Sequence, residues 1–172
     1  LAVFGRAVVV HDGAGTRVGC GVIGGAFGVS SASVTTALYP GFAHAAAYPN
    51  VRAVASLSEA SGVLMLRAVL SGLEPSVSGG VHIHSGFECS ADATLTGGHY
   101  WTGLAEDPWT TTYTSDASGV ASVELTLPSF SLEGTRPVAG RPLVVHMSSA
   151  LNGDRAACGI IEPSWHEVSH IA

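Results

Sequence analysis

The stretch Gly79-Gly-Val-His-Ile-His-Ser-Gly-Phe-Glu-Cys89 alternates apolar residues with histidine. A period of two predicts a β-strand with different residues on its two faces. His82 and His84 are two residues apart, so on a strand both imidazoles leave the same face and can converge on one ion. An isolated His-x-His is more often a polar pair on a solvated face. The surrounding sequence therefore has to decide between a metal site and a plain surface.

The same period of two recurs along the chain, in residues 51–57, 63–70, 120–127 and 142–146. Clusters of Gly, Ser, Pro and Asp separate these segments, and 22 glycines imply many turns. Helix signals are weak and short. The pattern predicts an all-β fold, a Greek-key β-sandwich or barrel.

Two further histidines lie in suitable contexts. His99 follows the pair Gly97-Gly98, which lets the backbone turn tightly, and His146 ends the apolar run Pro142-Leu-Val-Val-His. Imidazole suits both oxidation states of copper well enough for the metal to cycle between them. The four histidines together thus form a pattern that can hold one copper ion.

The segments Gly-Val-His-Ile-His, Gly-Gly-His and Leu-Val-Val-His precede Gly153-Asp-Arg-Ala-Ala-Cys-Gly-Ile-Ile161. In order and approximate spacing they resemble the motifs of copper/zinc superoxide dismutases, over about residues 48 to 162. The resemblance implies that family's Greek-key fold and superoxide as substrate. It also implies site residues: His82, His84, His99 and His146 as copper ligands, with His99 the moving part in catalysis; Arg155 as the arginine that attracts the anion; and Cys89 with Cys158 as a disulfide.

No histidine occurs between His99 and His146. In the zinc-containing enzymes a loop in this place carries two histidines and an aspartate that bind zinc, so we expect copper and no zinc here. The chain accordingly resembles the copper-only superoxide dismutases, particularly the extracellular copper-only repeat proteins. Another group must then orient the His99 ring, and Glu106 and Asp107 are the nearest carboxylates in sequence. The alternative is that both are ordinary loop charges.

The net charge of −6, with seven basic residues that are all arginine, means that attraction of superoxide must be local. A focused positive charge at a site raises association rates about 10-fold to 1000-fold, and Arg155 is the expected source. The alternative is that Arg155 pairs with a carboxylate such as Asp154 or binds a carbonyl in the turn.

Composition favours a secreted protein without a membrane span or a nucleic-acid partner. The longest uncharged tract is broken by Gly, Ser, Thr and Pro, and no run of eighteen apolar residues occurs. A copper site with a disulfide favours an oxidising, extracellular location. The start at Leu1, without methionine or signal peptide, fits a processed protein or a fragment of a longer chain.

An internal repeat marks the N-terminal segment. Gly5-Arg-Ala-Val-Val-Val-His-Asp12 and Thr16-Arg-Val-Gly-Cys-Gly-Val-Ile23 repeat 140–147 and 154–161. His11, Arg17 and Cys20 thus align with His146, Arg155 and Cys158. Residues 1–25 are predicted to be the C-terminal strand remnant of a preceding superoxide dismutase-like repeat.

This remnant leaves two interpretations open. The chain was cut from a tandem-repeat protein, or these strands complete a unit of a neighbouring or identical chain by strand addition, with Cys20 bonded across the boundary. Exchange of that kind does not close and would build a filament.

The predicted organisation is a linker over 26–47, the copper-only superoxide dismutase-like domain over 48–162 and a C-terminal tail over 163–172. His166 and His170 in the tail are four apart and would share a helix face, which could bind a metal. The alternative is a short polar tail or contact segment. Two functions remain: an extracellular copper-only superoxide dismutase, or a structural subunit of a repeat protein or filament in which copper is vestigial or stored.

Overall fold

The computed structural model describes residues 7–22 and 31–164. They belong to two compact units. The first contains a hairpin of β1 (Ala7–His11) and β2 (Arg17–Val22). The second, here called the main unit, spans Ser30–Ser164. Both are built from strands, so the predicted all-β fold is confirmed.

The main unit contains ten strands in two sheets. The strands are β3 (Ser31–Thr35), β4 (Ala37–Leu38), β5 (Arg52–Ala60), β6 (Val63–Ser71), β7 (Ser78–Ile83), β8 (Thr112–Thr114), β9 (Ala121–Leu127), β10 (Pro142–Ser148), β11 (Arg155–Ile160) and β12 (Glu162–Pro163). One sheet has the order β4-β11-β10-β7-β8 and the other β12-β3-β5-β6-β9, with every pair antiparallel. A short helix α1 (Ala93–Thr96) and a 3-10 turn (Ser149–Leu151) lie in the connections.

The core lies between the two sheets, and the long strands β5, β6 and β9 bury alternate residues. Along β5 and β6 the buried positions include Leu57, Leu64, Leu66 and Leu70, all at most 1% exposed. Burying one such side chain contributes about 1.5–3 kcal/mol. In β10, which lies inside its sheet, even successive residues 142–145 are buried. Alternating apolar residues in the sequence therefore mark strands with one buried and one exposed face. β10 is buried on both faces over residues 142–145.

The predicted linker over 26–47 is wrong for residues 31–38. β3 pairs with β5 and β4 pairs with β11, so this segment supplies one strand to each sheet. Its small residues Ser31-Ala-Ser-Val-Thr35 alternate in burial, which is enough to place a strand although the tract carries no charge and few large side chains. The domain accordingly begins before residue 48.

The tail histidines His166 and His170 lie outside the described residues. Within the described residues, no helix is both long and apolar enough to cross a membrane.

Candidate metal centre

The side chains of the four predicted ligands converge beside the β7–β10 ladder. His82 lies in β7, His84 follows the end of that strand, and His146 lies in the neighbouring β10. His99 comes from the loop after α1 and forms an isolated antiparallel bridge with His84. One ring nitrogen from each of the four lies within 4.8 Å of the others. The topology thus brings together residues far apart in sequence.

Burial favours the neutral form of His82, His84 and His146. Loss of solvent lowers the pKa of His84 to about 3 and that of His82 to about 4, and it also lowers the pKa of His146. The charges of neighbouring imidazoles act in the same direction for all three. A neutral imidazole carries one N–H and one free lone pair. Near neutral pH these side chains are therefore ready to bind a cation without first releasing a proton.

Backbone carbonyls decide which nitrogen is free in two of the rings. Nδ1 of His84 donates to the Gly97 carbonyl at 2.9 Å, and Nδ1 of His146 donates to the Gly153 carbonyl at 2.9 Å. A carbonyl only accepts, so both protons sit on Nδ1 and both Nε2 atoms present lone pairs. These two Nε2 atoms lie 3.1 Å apart. Facing lone pairs repel, and a metal cation held by both would turn that repulsion into attraction.

His82 offers its other nitrogen. Its Nε2 donates to the Thr111 carbonyl at 3.2 Å, whereas its Nδ1 is buried and has no hydrogen-bond partner among the described residues. A buried polar atom without a partner costs about 1–3 kcal/mol, which a metal bond would offset. His82 through Nδ1, together with His84 and His146 through Nε2, therefore fits a transition-metal ion.

Asp107 orients the fourth ring. Nδ1 of His99 lies 2.7 Å from Oδ2 of Asp107, so Nε2 of His99 is left for the metal. The other carboxylate oxygen, Oδ1, accepts the backbone N–H of Trp109 at 2.9 Å, and Trp109 is buried. Of the two carboxylates considered from sequence, Asp107 contacts the ring and Glu106 is exposed to solvent.

Two buried polar residues that sequence reasoning missed hold the backbone around His146. The Tyr113 hydroxyl donates to the His146 carbonyl at 2.8 Å. The Glu74 carboxylate accepts the Ser148 N–H and hydroxyl, each at 2.9 Å. Glu74 stands in Leu73-Glu-Pro75, which as sequence indicates only a turn. Both contacts limit movement of the strand that carries His146.

The comparisons with known proteins agree with this geometry. A family model described as copper/zinc superoxide dismutase matches residues 51–161. The chain belongs to the copper/zinc superoxide dismutase family. No curated protein matches the sequence. A crystal structure of the clock protein EA4 is similar with a TM-score of 0.61 and 17% identity, covering 80% of this chain and 96% of that one. At this identity the likeness concerns the fold alone.

In this superoxide dismutase family member, Arg155 lies beside the histidine cluster. Its guanidinium donates to the Gly97 carbonyl at 2.5 Å, the Ala93 carbonyl at 3.3 Å and the Tyr39 hydroxyl at 3.1 Å. Gly97 O thus accepts from both Arg155 and His84. Burial is the main cause that lowers the pKa of His84, and the positive charges of His146 and Arg155 lower it further. The field of Arg155 therefore reaches the histidine cluster.

The alternative partner for Arg155, Asp154, lies instead 3.5 Å from His44. Binding of the guanidinium to carbonyls, which was the other alternative, does occur. It leaves the positive charge without a carboxylate among its hydrogen-bond partners in the described main unit. Arg155 therefore keeps its full charge next to the ligands.

The disulfide between Cys89 and Cys158 is present, as the resemblance implied. It ties the loop after β7 to β11. That loop continues through α1 to Gly97, whose carbonyl contacts His84 and Arg155. The repeat equivalents His11, Arg17 and Cys20 lie in the β1–β2 hairpin, where all three are exposed.

Replacing Asp107 with asparagine is expected to weaken copper binding about 10-fold to 100-fold, the usual effect of losing the group that orients a ligand histidine. An amide can still accept from His99 but no longer supplies negative charge to fix the proton on Nδ1. Competitive titration with a copper chelator measures the affinity. Glu106→Gln removes the adjacent charge without touching His99 and should leave the affinity unchanged; equal losses in the two variants would contradict a specific role for Asp107.

Gly80→Ala is expected to displace the His82 ring while the fold survives. A Cβ at residue 80 would lie 2.5 Å from Cε1 of His82, and the end of that side chain must move. We expect copper affinity to fall at least about 10-fold, as for other disturbed ligand shells. The Cu(II) electron paramagnetic resonance spectrum would change as well. At Gly98, beside His99, a Cβ meets nothing within 4 Å, so Gly98→Ala is the matched control. An unaltered spectrum in Gly80→Ala would refute the steric argument.

Proposed function

We propose that this chain is an extracellular copper-dependent superoxide dismutase without a zinc site, converting superoxide to oxygen and hydrogen peroxide. The observation that carries the proposal is the set of free nitrogens: Nδ1 of His82 and Nε2 of His84, His99 and His146, directed to one place. Copper bound there would supply one-electron redox chemistry. The protein residues hold four imidazoles in fixed orientations.

Asp107 supports the proposal of a copper-only site. In the zinc-containing enzymes, the histidine that corresponds to His99 binds copper through one ring nitrogen and zinc through the other. In this chain that nitrogen, Nδ1 of His99, lies 2.7 Å from a carboxylate oxygen. The carboxylate supplies a negative charge and a fixed orientation without a second metal. Asp107 thus fixes the orientation of the His99 ring, as zinc would in the zinc-containing enzymes.

Access to the centre also fits a small anionic substrate. His82, His99 and His146 line one open depression together with Gly80 and Asn152. A diatomic anion can enter it without a conformational change, and Arg155 provides positive charge nearby. His99, whose side chain is 29% exposed, is the ligand best placed to exchange a proton with solvent.

The deciding experiment loads the purified chain with copper and measures superoxide decay by pulse radiolysis, with metal content determined on the same sample. We expect one copper per chain, catalytic decay, and no loss of activity after zinc is removed. Stoichiometric copper without catalysis would exclude the enzyme and leave a binding or structural role. A requirement for zinc would exclude the copper-only site.

Arg155→Ala is expected to lower the bimolecular rate with superoxide about 10-fold at low ionic strength and to reduce its dependence on salt. Arg155→Lys keeps the charge and should recover part of the rate. Arg67→Ala is the matched control, because Arg67 pairs with Glu124 on the exposed face of the other sheet. A rate at low salt equal to that of the unmodified protein would remove Arg155 from substrate attraction.

The second candidate function is a structural subunit of an extracellular repeat protein or filament, with copper vestigial or stored. The observation in its favour is that the β1–β2 hairpin has the same strand register as β10–β11. The two functions are compatible. The Cys89–Cys158 disulfide supports an extracellular location for either, since such bonds persist in oxidising compartments.

A further inference from the structure

The segments that carry His84 and His99 are joined by a short, irregular ladder. Both residues lie outside the ten strands of the main unit and form an isolated bridge with each other. The backbone hydrogen bonds between the two segments are Ser85 N–H to Gly98 O at 2.8 Å, Gly86 N–H to Thr96 O at 2.9 Å and Tyr100 N–H to Ile83 O at 2.9 Å. Segments held by few hydrogen bonds open locally more easily than a sheet does. The separation of these two ligands therefore depends on side-chain contacts as well.

The guanidinium of Arg141 contacts both segments. Its Nη1 donates to the carbonyl of Ser85, the residue directly after His84, at 2.6 Å. Its central carbon lies 3.5 Å from the ring centroid of Tyr100, the residue directly after His99. A planar guanidinium can stack on an aromatic face while its edge donates hydrogen bonds, which the compact ammonium of lysine cannot do in one geometry. One side chain therefore joins the residues that follow two of the ligands.

The base of the Arg141 side chain is fixed at the start of β10. The Arg141 carbonyl accepts the Ile161 N–H at 2.9 Å, and Nε donates to the Pro137 carbonyl at 2.9 Å. The carbonyl of the next residue, Pro142, accepts the His84 N–H at 2.8 Å. Arg141 thus extends from the same strand end that holds the backbone of His84.

The aromatic contacts of Arg141 differ in burial. Tyr100 is 5% exposed, packs 5.8 Å from the Phe130 ring, and accepts a hydrogen bond from Trp109 Nε1 through its carbonyl at 2.7 Å. The second ring, Phe87, lies 4.8 Å from the guanidinium carbon and is 64% exposed. Tyr100 therefore gives the guanidinium a fixed surface, to which Phe87 adds an outer contact.

The charge of Arg141 is not what reaches the ligands. Arg155 is among the causes that lower the pKa of His84 and of His146. Arg141 is not among the causes of the pKa shifts of His82, His84 or His146. Arg141 therefore acts on the histidines through the backbone it holds, whereas Arg155 acts through its field.

We propose that Arg141 is a positioning residue of the metal centre, which holds the segments carrying His84 and His99 at the separation that one shared metal ion requires. Its effect on copper rests on the proposed function, whereas the link between the two segments does not. It acts through Ser85 and Tyr100, each one residue from a ligand.

Hydrogen exchange of the copper-free protein, read residue by residue by NMR, tests the link. Arg141→Met keeps the apolar stem but removes the charge and the donors. We expect the amides of Ser85 and Tyr100 to exchange about 10-fold faster, from loss of a stacked cation and a charged hydrogen bond, while β5 and β6 keep their rates. Arg52→Met is the matched control, because Arg52 is exposed and donates to Ser71 on the other sheet. Unchanged exchange at Ser85 and Tyr100, or equal acceleration throughout the main unit, would overturn the proposal.

Copper binding tests the consequence for the ligands. We expect Arg141→Met to bind copper about 10-fold to 100-fold more weakly and to change the Cu(II) resonance spectrum, as when a group that orients a ligand is lost. Arg141→Lys restores the charge without the planar stack and should recover only part of the affinity. Full recovery in Arg141→Lys, or faster exchange in Arg141→Met with unchanged affinity and spectrum, would overturn the positioning role. If the unmodified protein bound no copper, the proposed function would fail, and the exchange rates would still decide whether Arg141 links the segments.

Discussion

Replacing His84 with alanine is expected to abolish stoichiometric copper binding and to reduce superoxide consumption to the uncatalysed rate. His84 is 1% exposed, and its Nε2 lies 3.1 Å from that of His146. Removing a residue that only orients a ligand costs about 10-fold to 100-fold in affinity, so removing a ligand should cost more than about 100-fold.

Copper analysis, the Cu(II) resonance spectrum and pulse radiolysis measure the loss. His44→Gln is the control, because His44 lies next to Asp154 and outside the cluster. A calorimetric scan of the copper-free proteins tests for a merely structural effect. If His84→Ala kept one tightly bound copper and full activity, the four-histidine site would be wrong.

The ligand residues could be identified from the sequence, but their free nitrogens could not. Motifs selected the four histidines, while the proton positions depend on carbonyls supplied by distant turns. Gly97 lies 13 residues from His84, and Gly153 lies seven residues from His146. Only the folded chain brings these acceptors to the rings. For the same reason the sequence left Glu106 and Asp107 equivalent, whereas anchoring by the buried Trp109 selects Asp107.

The strands followed from alternation wherever large apolar residues marked the buried face. Residues 31–38 were missed because their buried positions include Ala32, a small residue that gives a weak hydrophobic signal. Glu74 was missed for the opposite reason. A charged residue in a turn is normally solvated, and its burial is stable here only because both oxygens accept hydrogen bonds from Ser148. Both features depend on tertiary contacts, which the hydrophobic pattern of the sequence does not record.

The second large effect concerns the disulfide. Cys89→Ser is expected to lower the free energy of unfolding of the main unit by about 4 kcal/mol, because the bond closes a loop between residues 69 apart in sequence. For a domain of this size the melting temperature should fall by roughly 10–15 °C. Copper affinity should fall as well. The loop released by the substitution leads to Gly97, whose carbonyl fixes the proton of His84 and holds Arg155.

Thermal unfolding of copper-free protein separates the two effects, since it measures the fold without the contribution of metal binding. Glu88→Gln alters the exposed neighbour of Cys89 and should behave like the unmodified protein. If Cys89→Ser lost stability but bound copper with unchanged affinity, the loop would be held at Gly97 by its other contacts, such as the bond from Gly97 N–H to the Ala93 carbonyl. If copper affinity fell while the melting temperature stayed the same, the disulfide would act on the site alone and the loop-entropy argument would fail.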